Sequence, residues 1–264
     1  MRERSGSRMK PGKVRLDDLL VMRGSADSKS KARALILAGE VRLPGRPSAR
    51  PTPGMQVSAE EELVLVEKPR FVSRGGEKLA HALDRFGVDP AGKTALDVGA
   101  STGGFTDCLL QRGARRVYAV DVGYGQLDDS LRRDERVVVM ERVNARHDYE
   151  LPEAVDLVVA DVSFISLRLI VPVALRHLSP GGVAVVLLKP QFEAERGEVG
   201  RGGIVRDPQL HARIIGRFVA WAVASGVRVR DLASSPILGD KGNREFFLKL
   251  DPQRATGTGG NLPV

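Results

Sequence analysis

Three stretches of this 264-residue chain set a charged side chain at the edge of an apolar run. DLVVADVSFISL puts Asp161 after one run and VVLLKPQF puts Lys189 after another, with Pro190 stopping that run. GDKGNREFFLKL puts Glu245 just ahead of a third. A carboxylate beside a partly desolvated lysine perturbs both groups, and a lysine must fall from its ordinary pKa of about 10.4 before it acts as a base. A second cation beside Lys189 would push in that direction. Lys78, at the start of an apolar helical face, is available, although a lysine there is ordinarily a surface residue that lays its stem along apolar neighbours. A fourth stretch, ALDVGASTGGFTD at 95–107, reads as a strand, a glycine-rich turn and the start of a helix. Gly99, Gly103 and Gly104 let the backbone turn tightly and approach a ligand at a sheet's carboxyl edge. Their spacing matches neither G-x-G-x-x-G nor a phosphate-binding P-loop. Asp121 ends the next apolar run, VYAV, where a ribose hydroxyl requires an acid. S-adenosylmethionine carries no phosphate, so its loop needs close backbone approach more than an anion cradle.

These residues need a frame. Strand-like runs fall at 95–98, 117–120, 137–140, 157–160, 183–188, 227–232 and 246–250, with helical stretches between them. Such alternation predicts an α/β fold, a doubly wound, largely parallel Rossmann-like sheet that binds ligands at the carboxyl ends of its strands. Asp97, Asp121, Asn144, Asp161 and Lys189 fall at those ends. Each alone is an ordinary start to an exposed loop; together they mark one functional edge. Leu79, Ala82, Leu83 and Phe86 repeat at helical spacing ahead of the first run, so a helix from Glu77 is predicted, with Pro69 and Gly75–Gly76 marking bends before it.

Charge separates the chain into two parts. Residues 1–50 carry 13 Lys and Arg against 5 Asp and Glu, and the other 214 residues carry 28 of each. A neutral body with a basic appendage fits a polyanion partner; the bland reading is a solvated basic face. Leu16, Leu19 and Leu20 predict one short helix ending at Gly24. Ser28 caps a second, carrying Ala32, Leu35 and Ile36 and stopping at Gly39. VRL at 41–43 and LVLV at 63–66 add β-type runs. No apolar stretch approaches the roughly 18 residues that span a bilayer, and no apolar core follows the basic start as in a signal peptide. The single cysteine, Cys108, fits a reducing cytoplasm and reads as packing. The four histidines lack ligand spacing, so no metal site is expected. Phe218 and Trp221 share a helix with Ile214 and Ile215 and read as core.

RLDxxL followed by KSKARALILAGEVRL resembles the S-four RNA-binding fold. ALDVGASTGGFTDCLLQRGARRVYAVDVGYGQL, VADVSFISL, LLKPQFE, GGIVRDP and GNREFFL together resemble the TlyA family, often labelled hemolysin A, from about residue 14 to 250. The family's catalytic domain is of the FtsJ-like ribose methyltransferase type. The resemblance implies an S-four-like domain at 14–67, a linker at 68–77 and a methyltransferase domain at 78–250, while composition reads 1–13 as a flexible basic tail and the Gly/Thr/Pro-rich 251–264 as a disordered one. The resemblance also implies 2′-O-methylation of ribosomal RNA, at cytidine, by a Lys-Asp-Lys-Glu tetrad of Lys78, Asp161, Lys189 and Glu245. Lys189 would serve as base or hydroxyl-orienting group. The cofactor would be S-adenosylmethionine, held by Asp97, Gly99, Ala100, Ser101, Gly103, Gly104, Phe105, Asp121, Val122, Asn144 and Asp161. Lys29, Lys31, Arg33, Arg42 and Arg74 would meet RNA, mainly at phosphates. Some members carry an additional C-terminal helix and act on both ribosomal subunits. The present tail has no such pattern, so a large-subunit target is expected. DVSF replaces the Asp/Asn-Pro-Pro-aromatic loop of base amino-group methylases. The competing readings are a membrane-active hemolysin, for which no inserting pattern is visible, and a non-catalytic RNA-binding assembly factor.

Overall fold

The computed structural model describes residues 12–66, 69–200 and 202–252. The chain divides into two compact units, 1–69 and 70–264. The basic starting segment up to residue 11 and the tail from residue 253 lie outside the described residues.

The first unit holds β1 (Lys13–Arg15), α1 (Leu16–Met22), α2 (Lys29–Leu37), β2 (Val41–Arg42), β3 (Gln56–Ser58) and β4 (Val64–Leu65). Strands β1 and β3 pair antiparallel, as do β2 and β4. Leu16, Leu19, Leu20, Ala32, Ile36, Val41, Leu43 and Val57 make its small core. Ser28 caps α2 by accepting a hydrogen bond from the Lys31 amide, 3.2 Å. Asp17 is fully buried, and bidentate Arg15 at 2.9 and 2.8 Å together with Arg33 at 3.0 Å offset the cost of burying it.

The second unit carries α3 (Arg74–Phe86), β5 (Thr94–Val98), α4 (Gly104–Gln111), β6 (Arg116–Asp121), α5 (Asp129–Arg132), β7 (Val137–Glu141) and β8 (Val155–Ala160). It continues through α6 (Leu167–Leu175), β9 (Leu178–Leu188), α7 (Pro190–Glu193), α8 (Pro208–Ala224), β10 (Val227–Ser234) and β11 (Phe246–Pro252). Seven strands form one sheet in the order β10-β11-β9-β8-β5-β6-β7. β5 to β9 run parallel, and β11 lies antiparallel between β9 and β10. All seven predicted strand runs are present. The central strands β5, β8 and the second half of β9 are apolar on both sides because both faces are covered, whereas the edge strand β10 alternates buried or half-buried with exposed residues. Leu157, Val159, Val185 and Leu187 pack with Leu79, Leu83, Phe105 and Leu109 of α3 and α4. Val158, Ala160, Val186 and Leu188 face the other way, onto Ile170, Leu175, Ile214 and Phe218 of α6 and α8. Cys108 is fully buried in the first of these clusters, and burial pushes its thiol up to about 12, so it packs rather than reacts. No helix among the described residues is long and apolar enough to cross a membrane.

Helix α3 begins earlier than its spacing predicts, and Gly75 and Gly76 lie in its first turn instead of bending the chain before it. Packing is the reason. A Cβ on Gly76 would come within 2.2 Å of the Phe71 ring, and a Cβ on Gly104 of α4 would stand 2.9 Å from the Gly76 nitrogen and 3.1 Å from the Gly75 Cα. Glycine is what lets α3 approach α4 this closely.

Candidate active site

The order β6-β5-β8-β9 places a topological switch point between β5 and β8. At such a point the connections diverge, and the strands' carboxyl ends open a crevice. A cleft of about 310 Å³ lies there, lined by Ser73, Arg74, Gly75, Lys78, Gly99 to Thr102, Gly104, Phe105, Asp161, Ser163 and Lys189.

The glycine-rich loop forms one wall. Gly99 has φ +84°, and a Cβ there would stand 2.5 Å from the Asp161 carbonyl oxygen, so no other residue fits between the ends of β5 and β8. Gly103, at φ +96°, is pressed against Leu127 and Leu131 and supports the loop from behind. Asp121 organises the loop, its two carboxylate oxygens accepting from the Ser101 amide at 2.8 Å and the Gly123 amide at 2.6 Å. Six of the predicted cofactor residues therefore line the cleft: Gly99, Ala100, Ser101, Gly104, Phe105 and Asp161. Asp121 and the largely exposed Val122 stand beside it at the end of β6. Asn144 is exposed, and its side-chain oxygen caps the Arg146 amide in its own turn at 3.1 Å. Asp97 does not face the cleft. It is fully buried, accepts from the Thr106 hydroxyl at 2.7 Å, and leaves its second oxygen without a hydrogen-bond partner. Burial lifts its carboxyl to about 7, and the Asp161 charge adds to that rise against the lowering effect of Thr106. It anchors α4 beneath the loop.

Lys78, Asp161, Lys189 and Glu245 meet as two ion pairs. Lys189 Nζ lies 2.6 Å from an Asp161 oxygen and donates to the Ser163 hydroxyl at 2.8 Å. Lys78 Nζ donates to Glu245 at 2.6 Å. Register explains the second pair. β11 runs antiparallel with Phe246 opposite Leu188, so Glu245 enters β11 at the edge where Lys189 leaves β9. A Cβ on Gly239 would stand 1.9 Å from Glu245 Oε1, so the missing side chain leaves room for the carboxylate. Lys78, Lys189 and Glu245 are 8, 9 and 2% exposed, so the pairs are largely shielded from solvent and less screened than surface pairs.

Sequence reading missed several participants. Ser163 is visible only as the polar residue two positions past Asp161 in ADVSF. Glu193 is buried near the end of α7 and accepts from the Ser166 hydroxyl at 2.7 Å and the Leu167 amide at 2.6 Å. It ties the segment carrying Lys189 to the one carrying Asp161 and Ser163. Phe164 is 91% exposed at φ +64°, an unfavourable conformation for an aromatic residue, with its ring 5.2 Å from that of Phe192. Of the cations assigned to RNA, Lys29 pairs with Asp18 at 2.6 Å and Arg33 with Asp17 at 3.0 Å. Those two are engaged within their own unit. Lys31 and Arg42 are exposed and make no ion pair among the described residues. Arg74 lines the cleft.

A doubly wound sheet with this strand order, a glycine loop on its first strand and paired Lys and carboxylate groups at the switch point fit the methyltransferase class. Residues 71–251 match the FtsJ-like methyltransferase family and residues 14–63 the S4 domain, and the chain belongs to that FtsJ-like family, within its TlyA group. The 16S/23S rRNA (cytidine-2′-O)-methyltransferase TlyA of Mycobacterium tuberculosis is 47% identical, covering 91% of each chain. The 23S rRNA (cytidine-2′-O)-methyltransferase TlyA of Campylobacter jejuni is 33% identical over 67% of this chain and 69% of its own. A solved Streptococcus thermophilus structure carrying the hemolysin label is 42% identical, with a TM-score of 0.67 and coverage of 94% of this chain and 92% of that one.

Proposed function

We propose that this methyltransferase transfers the methyl of S-adenosylmethionine to the ribose 2′-hydroxyl of cytidine in ribosomal RNA. The observation that carries the reading is the convergence of Lys78–Glu245 and Lys189–Asp161 on a cleft walled by the glycine loop. The relatives' names point the same way.

The wall fits the cofactor. Backbone packed too closely for a Cβ at Gly99, and amides of loop residues oriented by Asp121, give the close main-chain approach that a phosphate-free nucleoside needs. A cleft of about 310 Å³ also falls at the lower end of the roughly 300–1,000 Å³ of small-molecule sites. Gly99, Ala100, Ser101, Gly104 and Phe105 would hold the donor in the cleft, with Asp121 at its ribose and Val122 and Asn144 on the adenine side. When bound, S-adenosylmethionine supplies an electrophilic methyl group on a sulfonium.

The residues of this chain supply position and proton handling. Lys189 orients the hydroxyl oxygen or, as the neutral amine, takes up its proton as the methyl leaves the sulfonium, while Asp161 and Ser163 fix Nζ in one place. Glu245 holds Lys78 beside the ribose, where the pair sets the local charge. Phe164 presents an exposed aromatic face next to the site, suited to stacking on an unstacked base. In the first unit, Lys31 and Arg42 are left for RNA phosphates.

Large-subunit RNA is the first substrate to test. Small-subunit RNA belongs in the same assay, because the relative of higher identity is named for both. Lys189→Ala and Asp161→Ala are expected to lower methyl transfer at least 100-fold, about the size of a lost acid–base or positioning group, with donor affinity under Lys189→Ala nearly unchanged. Activity of Lys189→Ala within tenfold of the parent would refute the role given to Lys189.

A further inference from the structure

One buried side chain fastens two loops of the catalytic unit together. Asn243, 2% exposed, accepts from the Val205 amide at 3.0 Å and donates to the Gly203 carbonyl at 3.0 Å. The Gly239 amide donates to the Asn243 carbonyl at 2.8 Å, and the His211 ring nitrogen lies 2.9 Å from the Val205 carbonyl. An amide that donates and accepts across a gap fixes the register of two otherwise irregular segments. The segment leading into α8 and the one leading into β11 thus form one rigid rim. That rim adjoins Glu245, whose carbonyl accepts from the Ser235 amide at 2.9 Å and whose carboxylate packs on Gly239.

The rim carries Arg206, Lys241 and Arg244, all exposed, and none of them makes an ion pair among the described residues. Elsewhere in this unit several exposed arginines are paired, Arg132 with Glu141, Arg136 with Asp134 and Arg230 with Asp251, while Arg146, Arg196 and Arg228 stand as single exposed cations without an ion pair among the described residues. Asp207, next to Arg206, is taken up in capping the Gln209 amide and lies 3.8 Å from Arg213. A scattered surface cation is ordinarily only solvated. Three together, on loops clasped by a buried amide beside a catalytic pair, are arranged. The glycine loop occupies the β5–β6 half of the sheet edge, so the acceptor enters over the β9–β11 half, which this rim borders.

The geometry points to Arg206, Lys241 and Arg244 as a phosphate-gripping rim that holds the RNA backbone flanking the target ribose. The assignment rests on the RNA substrate proposed above and gives the catalytic unit its own sequence-independent grip, separate from that of the first unit. The test compares the full chain with Arg206→Ala/Lys241→Ala/Arg244→Ala, measuring ribosomal-RNA affinity across a salt series, donor affinity, and the kcat and KM of methyl transfer. The triple variant is expected to bind RNA at least tenfold more weakly and to raise KM for RNA in step. Its salt slope should be shallower by about 2–3, since each of the three lost phosphate contacts removes roughly 0.7–0.9. Donor affinity should stay within twofold. Unchanged RNA affinity and salt slope, or a parallel loss of donor binding, would overturn the assignment. Failure of the parent chain to methylate any ribosomal RNA would instead count against the substrate reading on which it rests.

Discussion

Lys78 and Glu245 are withdrawn from water together, so each depends on the other. Glu245→Gln leaves a shielded cation with no anion and is expected to cost about 3–5 kcal/mol by urea denaturation. Lys78→Met combined with Glu245→Gln should recover most of that stability and none of the methyl transfer, which separates the structural from the chemical use of the pair. Asp97 makes a different prediction. Its carboxyl sits at about 7 in the folded protein and near 3.9 unfolded. Between those values the unfolded chain releases the proton while the native state keeps it, so stability falls as pH rises through that window and levels off above 7. Glu193, also raised by burial, acts in the same sense. Asp97→Asn imitates the protonated form and should flatten the part of the fall that Asp97 contributes. Urea midpoints at pH 5 and 8 read this directly: a variant whose midpoint drops as far as the parent's would contradict it.

At the scale of elements, glycine marks where backbones must touch. Gly76→Ala in α3 forces a methyl against Phe71 and is expected to destabilise the catalytic unit by about 1–3 kcal/mol. Gly216→Ala in α8, exposed and with open space around the site, should stabilise it by about 0.5–1 kcal/mol. Thermal melts of the two variants should shift in opposite directions. Gly76 also shows where sequence reading stopped. RGGEKL reads as a bend because glycine more often breaks helices than packs them, and the contact with Phe71 is a tertiary fact. The central sheet strands were legible because both faces of each are buried and the runs are nearly pure apolar, and the edge strand β10 was legible from the alternation of VRVRDL. Strands β1 and β3 were not, since three-residue strands pairing Arg15 with Gln56 leave no local period. Asp161, Lys189 and Glu245 were legible as charges bordering apolar runs. Asp97 looked the same, and only its burial shows that it faces inward. Asn243 and Glu193 were missed because their partners, Val205 and Leu167, are remote in sequence.

Over the whole molecule, the charge excess lies in the first 50 residues and the body balances to zero. That balance conceals local segregation, for most arginines of the body are paired while the rim beside Glu245 is not. In the first unit, Lys31→Ala/Arg42→Ala is expected to weaken ribosomal-RNA binding severalfold and to leave donor affinity as it was; equal RNA affinity in a filter-binding titration would speak against that unit's role. The central claim is that the glycine loop, Lys189–Asp161 and Lys78–Glu245 together methylate a ribose oxygen. It is tested most directly by incubating the full chain with methyl-labelled S-adenosylmethionine and isolated large and small ribosomal subunits, then mapping the label by nucleoside analysis. The parent chain is expected to give 2′-O-methylcytidine and Lys189→Ala none. Label on a base, or an undiminished ribose signal in Lys189→Ala, would contradict the claim.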